Sequence, residues 1–121
     1  MQEPQPTKEN IIENKSKEFA LRIIRLYKYL REKKKEYVLS KQIVRCGTSI
    51  GANVKEAIRG QSKPDFYAKL YIALKEAGET EYWLHLLKES GYIEESHYDN
   101  IYADCQEIIK LLVSITKTQK D

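Results

Sequence analysis

The sequence has few residues that break helices and no long apolar run. Five glycines and three prolines occur among 121 residues, and no segment alternates apolar and polar residues as β-strands do. No apolar stretch approaches the roughly 18 residues of a membrane-spanning helix. The first residues also lack the basic and apolar regions of a signal peptide. We therefore expect an all-α, soluble protein of the cytoplasm.

Cysteine is equally scarce. Cys46 and Cys105 are too few for a disulfide framework, and their spacing is not that of a metal site. Both fall on apolar stripes of helical period, where cysteine usually packs as a small apolar side chain. We therefore expect two buried thiols with no part in chemistry.

The two histidines do not complete a metal or catalytic site. Glu94 and His97 form the Glu-x-x-His pattern of di-iron bundles, but this pattern occurs only once. Glu81 and His85 lie one helical turn apart without matching carboxylates from other helices. The glycines do not form a phosphate-binding loop either. We expect no catalytic residue, no metal ion, no cofactor and no enzymatic activity.

Four segments have apolar residues at steps of three, four and seven. They span about residues 11–34, 38–59, 63–90 and 96–117, and short links separate them. Short links place consecutive helices side by side in opposite directions. The pattern predicts one domain over residues 1–121, an antiparallel up-down-up-down four-helix bundle.

Residues typical of helix ends lie at the predicted boundaries. Asn10 and Glu13 have the spacing of a capping pair for the first helix. Ser62-Lys-Pro-Asp65 combines a capping hydroxyl, a first-turn proline and an acid, and predicts the start of the third helix. Gly60 is predicted to end the second helix in the left-handed conformation, and Gly91 is predicted to end the third.

The second segment carries unusual residues in its interior. Gly47 and Gly51 each cost about 0.5–1 kcal/mol relative to alanine, which favours close approach by another helix, of this or of a second subunit, over a ligand. Asn53 falls within the apolar seam. Two interpretations stay open: an interhelical hydrogen bond that fixes register, or a polar pocket in which Asn53 and Glu56 face a ligand.

Additional apolar residues lie outside the main stripes. Tyr67 and Tyr71 belong to a second stripe of the third segment, and Tyr82 and Trp83 extend its aromatic surface. A monomeric bundle needs one stripe per helix, so second stripes indicate contacts between subunits. The predicted interface residues are Gly47, Gly51, Tyr67, Tyr71 and Trp83.

Positive charge is concentrated in the first half of the chain. Residues 1–59 hold 14 Lys or Arg and 7 acids, whereas residues 60–121 hold 7 and 11. Either a phosphate-binding surface or an ordinary solvated face, interrupted by acids, would produce this pattern. The candidate nucleic-acid contacts are Arg22, Arg25, Lys28, Arg31, Lys33, Lys34, Lys35, Lys41 and Arg45.

Three motifs resemble those of the 23S rRNA-intervening sequence protein family. They are the segments 45–57, 62–66 and 70–84, and the resemblance extends over about residues 15–115. Cys46 stands where the family usually has serine, and Gly78 where a larger residue is more common. The motif members with polar or aromatic side chains are Arg45, Ser49, Asn53, Glu56, Asp65, Glu76, Glu79 and Trp83.

The resemblance implies a four-helix bundle without established catalytic residues. Similar bundles form homopentameric rings, and a related accessory protein of diversity-generating retroelements binds nucleic acid through a basic surface. We therefore expect a homo-oligomeric ring, with five subunits implied by the resemblance alone, that contacts RNA or DNA. The alternative is a protein–protein interaction scaffold that binds no nucleic acid. We expect neither a membrane nor a small-molecule partner.

Overall fold

The computed structural model describes residues 7–60 and 62–117, which form four α-helices. These are α1 (Lys8–Glu32), α2 (Leu39–Ile58), α3 (Lys63–Glu89) and α4 (Glu95–Thr116). The described residues contain no strand, so the predicted all-α class is confirmed. Within these residues, no helix is both long and apolar enough to cross a membrane. The predicted domain also included residues 1–6, 61 and 118–121, which lie outside the described residues.

One apolar core joins the four helices. α1 contacts α2 and α4, and α3 contacts the same two helices. Each large apolar side chain in this core stabilises the fold by about 1.5–3 kcal/mol through its removal from water. Fully buried members from the four helices include Ile23, Leu30, Ile43, Ile50, Leu84, Leu87, Ile108 and Leu112.

The steps of four and three from Phe66 to Leu70, Ala73 and Ala77 predict one apolar stripe along α3. Leu70, Ala73 and Ala77 are buried as these steps predict. Phe66 is only half-buried, and Tyr67 is buried in its place. The two rings meet edge to face, with centres 5.1 Å apart. Tyr67 therefore belongs to the core of its own chain.

The start of α1 differs from the prediction. The Thr7 hydroxyl accepts a hydrogen bond from the Asn10 backbone N–H at 3.1 Å, so Thr7 is the N-cap. Asn10 and Glu13 lie inside the helix, and the predicted capping pair is wrong. The reason is that Thr7 provides the same capping chemistry one turn earlier.

The ends around α3 are partly as predicted. The Ser62 hydroxyl accepts from the Asp65 N–H at 3.2 Å, and Gly91 has a φ of 83° while the Tyr92 N–H bonds to the Leu87 carbonyl. These two signals are confirmed. Gly60 is not left-handed, so that prediction is wrong. A Cβ at Gly60 would lie 3.1 Å from the backbone carbonyl oxygen of Ala57, a tight contact that glycine avoids.

The link between α1 and α2 turns at Lys35 and is anchored by Glu36. Lys35 has a φ of 56°, the left-handed conformation, and the Glu36 N–H bonds to the Leu30 carbonyl at 2.9 Å. The buried Glu36 carboxylate accepts from the N–H groups of Val38, Leu39 and Ser40, at 3.1, 2.9 and 2.7 Å. It thus satisfies the unpaired amides at the start of α2.

The two glycines inside α2 admit α1 of the same chain. A Cβ on Gly47 would lie 2.9 Å from both Cγ atoms of Ile23. A Cβ on Gly51 would lie 3.3 Å from the Ser16 carbonyl oxygen. The close approach expected from the sequence is therefore confirmed within one subunit. Gly78 differs, because a Cβ there would meet no atom within 4 Å.

The substitution Gly47→Ala should destabilise the protein. The added methyl would press on Ile23, whose own Cβ is 3.3 Å away, so rotation of the side chain cannot relieve the clash. We expect a net loss of about 1–3 kcal/mol in the free energy of unfolding, in spite of alanine's higher helix propensity.

The matched control is Gly78→Ala, an exposed site inside α3. At this site only the higher helix propensity of alanine acts, and we expect the free energy of unfolding to rise by about 0.5–1 kcal/mol. Urea denaturation followed by circular dichroism measures both values. Equal effects of the two substitutions would contradict the packing account of Gly47.

Candidate nucleic-acid interface

Positive charge is concentrated where α1 ends and α2 begins. Residues 25–41 contain seven Lys or Arg and two Glu. Glu36 is turned inward onto backbone amides, so Glu32 is the one exposed acid of this segment. We call this set of cations the basic end: Arg25, Lys28, Arg31, Lys33, Lys34, Lys35 and Lys41.

Most cations of the basic end have no acidic partner. Six of them are exposed and form no ion pair with any residue in the described part of the chain. These six are Arg25, Lys28, Lys33, Lys34, Lys35 and Lys41. Unpaired cations close together attract anions more strongly than paired ones, since no neighbouring carboxylate cancels their field.

Tyrosine rings lie among these cations. The Arg31 guanidinium is 5.3 Å from the centre of the Tyr27 ring and 4.9 Å from that of Tyr37. The Lys34 ammonium is 6.0 Å from the ring centre of Tyr29. Cation–π contacts at exposed sites contribute about 0.5–1 kcal/mol each. The charge pattern of the sequence predicted the cations here but not the tyrosines, although Tyr27 and Tyr29 flank Lys28 in the sequence.

Two predicted contacts are occupied by carboxylates. Arg22 Nη1 lies 2.7 Å from Asp104 Oδ2 on α4. Arg45 pairs with Glu79 and lies 3.6 Å from Glu76, both on α3. The charges of Arg22 and Arg45 are therefore compensated within the chain, in contrast to those of the basic end.

Arg45 belongs to a cluster of motif residues that joins α2 to α3. Glu79 Oε2, which pairs with Arg45, also accepts a hydrogen bond from the Trp83 indole N–H at 3.0 Å. Trp83 is half-buried against the core. The arrangement assigns Arg45, Glu76, Glu79 and Trp83 a structural role between these two helices.

The remaining motif residues do not form a ligand pocket around Asn53. Ser49 Oγ donates to the Arg45 carbonyl at 2.7 Å, and Asn53 Nδ2 donates to the Ser49 carbonyl at 2.9 Å. Asn53 is half-buried and bonds along its own helix, so the interhelical bond is a wrong interpretation. Glu56 is exposed and lies 3.4 Å from the Lys69 ammonium.

Glu56 and Asp65 line one open cleft at the opposite end of α2. Its volume is about 760 Å³, and its other walls include Lys55, Arg59 and Lys69. Asn53 does not line it. This cleft is therefore not the predicted pocket in which Asn53 and Glu56 face one ligand.

The predicted interface residues are divided between interior and surface. Gly47 and Tyr67 are buried within the chain, so neither is a surface position. Gly51 and Trp83 are half-buried, and Tyr71 is exposed. We call the exposed apolar side chains of α3 its outer face, which consists of Tyr71, Ile72 and Tyr82. Ile72 was not predicted there.

Both thiols are buried, as expected. Cys46 Sγ accepts a hydrogen bond from the Thr80 hydroxyl at 3.2 Å, and Cys105 Sγ donates to the Ala77 carbonyl at 3.5 Å. Burial raises the pKa of Cys46 to about 11 and that of Cys105 to about 12. No group of three metal-ligating side chains occurs within residues 7–60 and 62–117.

Neither thiol should react with iodoacetamide in the folded protein at pH 8. The thiolate is the reactive form. Because both pKa values lie well above pH 8, only a small fraction of each thiol is ionised at that pH. We expect no alkylation of native protein within an hour and two alkylated cysteines in urea, as measured by intact mass. Fast native labelling at either position would contradict this account of the core.

Comparisons with known proteins agree with the fold and the motifs. The family model of the 23S rRNA-intervening sequence protein matches residues 8–114. A protein of unknown function from the S23 ribosomal protein family of Bacteroides thetaiotaomicron VPI-5482, solved by crystallography, is 57% identical to this chain in sequence. The match covers 92% of this chain and 99% of that chain, with a TM-score of 0.91. No curated protein matches the chain. The chain therefore belongs to the 23S rRNA-intervening sequence protein family.

Proposed function

We propose that this protein is a non-enzymatic binder of RNA or DNA that acts through its basic end. The observation that carries this proposal is the group of six exposed cations that form no ion pair with the described residues. Nucleic-acid backbones carry closely spaced phosphates, and lysine and arginine bind them with release of counterions. The family description names an intervening sequence of 23S rRNA, a context that supports RNA as a ligand.

The carboxylates of the same region do not offset this charge. Both oxygens of Glu36 accept backbone N–H groups and are turned away from solvent. Glu32 remains as one exposed acid against seven cations. The surplus of positive charge supports attraction of a polyanion over an ordinary solvated face, in which both signs are mixed.

Binding should weaken with salt and with removal of the loop lysines. We expect the triple substitution Lys33→Gln, Lys34→Gln, Lys35→Gln to reduce the slope of log affinity against log salt by about 2–3. Filter binding or fluorescence anisotropy between low and physiological salt measures this slope.

The matched control removes three exposed lysines elsewhere, at Lys63, Lys75 and Lys110. It changes net charge equally, but it leaves the basic end intact. We expect its slope to stay within about one unit of the unmodified protein. Equal effects of both triples would show that net charge alone matters, and absence of binding at low salt would refute the proposal.

We infer that the four helices form an antiparallel up-down-up-down bundle. The start of α1 lies beside the end of α4, because Lys8 bonds to Ser114. Further along α1, Arg22 bonds to Asp104, which comes earlier in α4, so the two helices run in opposite directions. The same reversal relates α2 to α3, where the pairs are Arg45 with Glu76 and Glu56 with Lys69. Short links between consecutive helices support this topology.

We further propose that the protein is a homo-oligomer that assembles through the outer face of α3. The side chains of Tyr71, Ile72 and Tyr82 are 42%, 41% and 57% exposed. The inner face of α3 is apolar as well, and a helix that is apolar on both faces is typical of one covered on both sides. The family resemblance gives five as the subunit number.

Charges on the outer face of α3 should dissociate the assembly. For the unmodified chain of 14.2 kDa, light scattering should give about 71 kDa if five subunits assemble. We expect the double substitution Ile72→Glu, Tyr82→Glu to give a 14 kDa species, because burying carboxylates in an apolar contact is unfavourable.

The control is Val38→Glu, which introduces a charge at an exposed apolar side chain outside α3. This variant should keep the mass of the unmodified protein. A 14 kDa unmodified protein at micromolar concentration would refute self-association and leave the outer face of α3 as a docking surface for a different protein.

A further inference from the structure

Two exposed tyrosines lie among the cations of the basic end, and electrostatic binding gives them no role. Tyr29 is 38% exposed and Tyr37 is 47% exposed. Phosphate groups are attracted by charge, and the lysines beside these rings already provide it. Aromatic rings among unpaired cations are instead typical of proteins on which nucleic-acid bases stack.

Tyr37 is held in place from both sides. On one side, the Glu36 N–H bonds to the Leu30 carbonyl at 2.9 Å. On the other, the Glu36 carboxylate accepts the N–H groups of Val38 and Leu39. The Arg31 guanidinium also lies 4.9 Å from the ring centre. A ring presented on a fixed backbone loses little conformational entropy when a flat ligand stacks on it.

Tyr29 lies at a cleft between α1 and α4. The cleft has a volume of about 530 Å³, within the range of small-molecule sites, and its lining includes Arg25, His97 and Asn100. Arg25 is an exposed cation without an acidic partner among the described residues. The Asn100 amide carries both a donor and acceptors, as recognition of a base edge requires.

We infer that the basic end binds unpaired nucleotides, with bases stacked on Tyr29 and Tyr37 while the lysines bind phosphates. This inference rests on the nucleic-acid binding proposed above and names the class of ligand. Bases inside a duplex are already stacked on their neighbours, so a protein ring reaches only the bases of single strands, loops and bulges. A surface that needed charge alone would bind duplex equally well.

The test compares a labelled single strand of about 20 nucleotides with the duplex of the same sequence, since single-strand sites span roughly 4–16 nucleotides. Fluorescence anisotropy of the full chain at one salt concentration gives both affinities. We expect the unmodified protein to prefer the single strand by about tenfold or more. The double variant Tyr29→Ala, Tyr37→Ala should bind the single strand about tenfold more weakly than the unmodified protein does. Its affinity for the duplex should be unchanged.

Two further variants separate stacking from folding and from charge. Tyr29→Phe, Tyr37→Phe keeps the rings and should bind like the unmodified protein, whereas a general loss of structure in the alanine variant would weaken duplex binding too. The substitution of Lys33, Lys34 and Lys35 by glutamine should weaken both ligands alike.

The outcomes distinguish this inference from the proposed function. Equal affinity for the two ligands, or an equal effect of the alanine variant on both, overturns the inference and leaves electrostatic binding standing. Absence of binding to either ligand overturns the proposed function itself. Binding to vesicles of phosphatidylcholine and phosphatidylserine that is lost in the alanine variant, without a single-strand preference, assigns the rings to a membrane surface and also overturns the inference.

Discussion

Burial of one apolar stripe from each of the four helices is the constraint on which the rest of this structure depends. Side chains such as Ile23, Ile50, Leu84 and Leu112 are removed completely from water in one shared core. The approach of α1 to α2 is so close at Gly47 that no side chain fits there. With the core filled in this way, Ser49 and Asn53 bond along their own helix, and the buried Thr80 hydroxyl reaches across to Cys46 Sγ.

The same packing determines which charges remain available. Acids of α3 and α4 lie against Arg45 and Arg22 and compensate them, because the core brings these helices side by side. Where α1 ends, no carboxylate of the described residues lies within ion-pair distance of the lysines. Glu36 could have neutralised part of this charge, but its carboxylate caps the amides at the start of α2. One anchoring residue therefore both starts a helix and leaves the basic end unpaired.

The helices themselves could be predicted because each buries a stripe with a period near 3.6, which is a local property of the sequence. Their ends were harder, since several residues compete for one capping role. Thr7 rather than Asn10 caps α1, and Gly60 follows α2 without the left-handed conformation expected of it. For the candidate site, the sequence indicated the lysines of the link but not the tyrosines, because a surplus of charge marks lysines and gives no signal for aromatic rings.

The sequence by itself determined the helical class, the approximate extent of the helices and the concentration of positive charge in residues 25–41. These depend on composition and on spacing along one chain. Only the tertiary structure decided which cations are unpaired, that Gly47 faces Ile23 of the same subunit, and that Glu36 points inward. Such facts depend on residues distant in sequence that become neighbours when the core forms, and no local pattern specifies a partner on another helix.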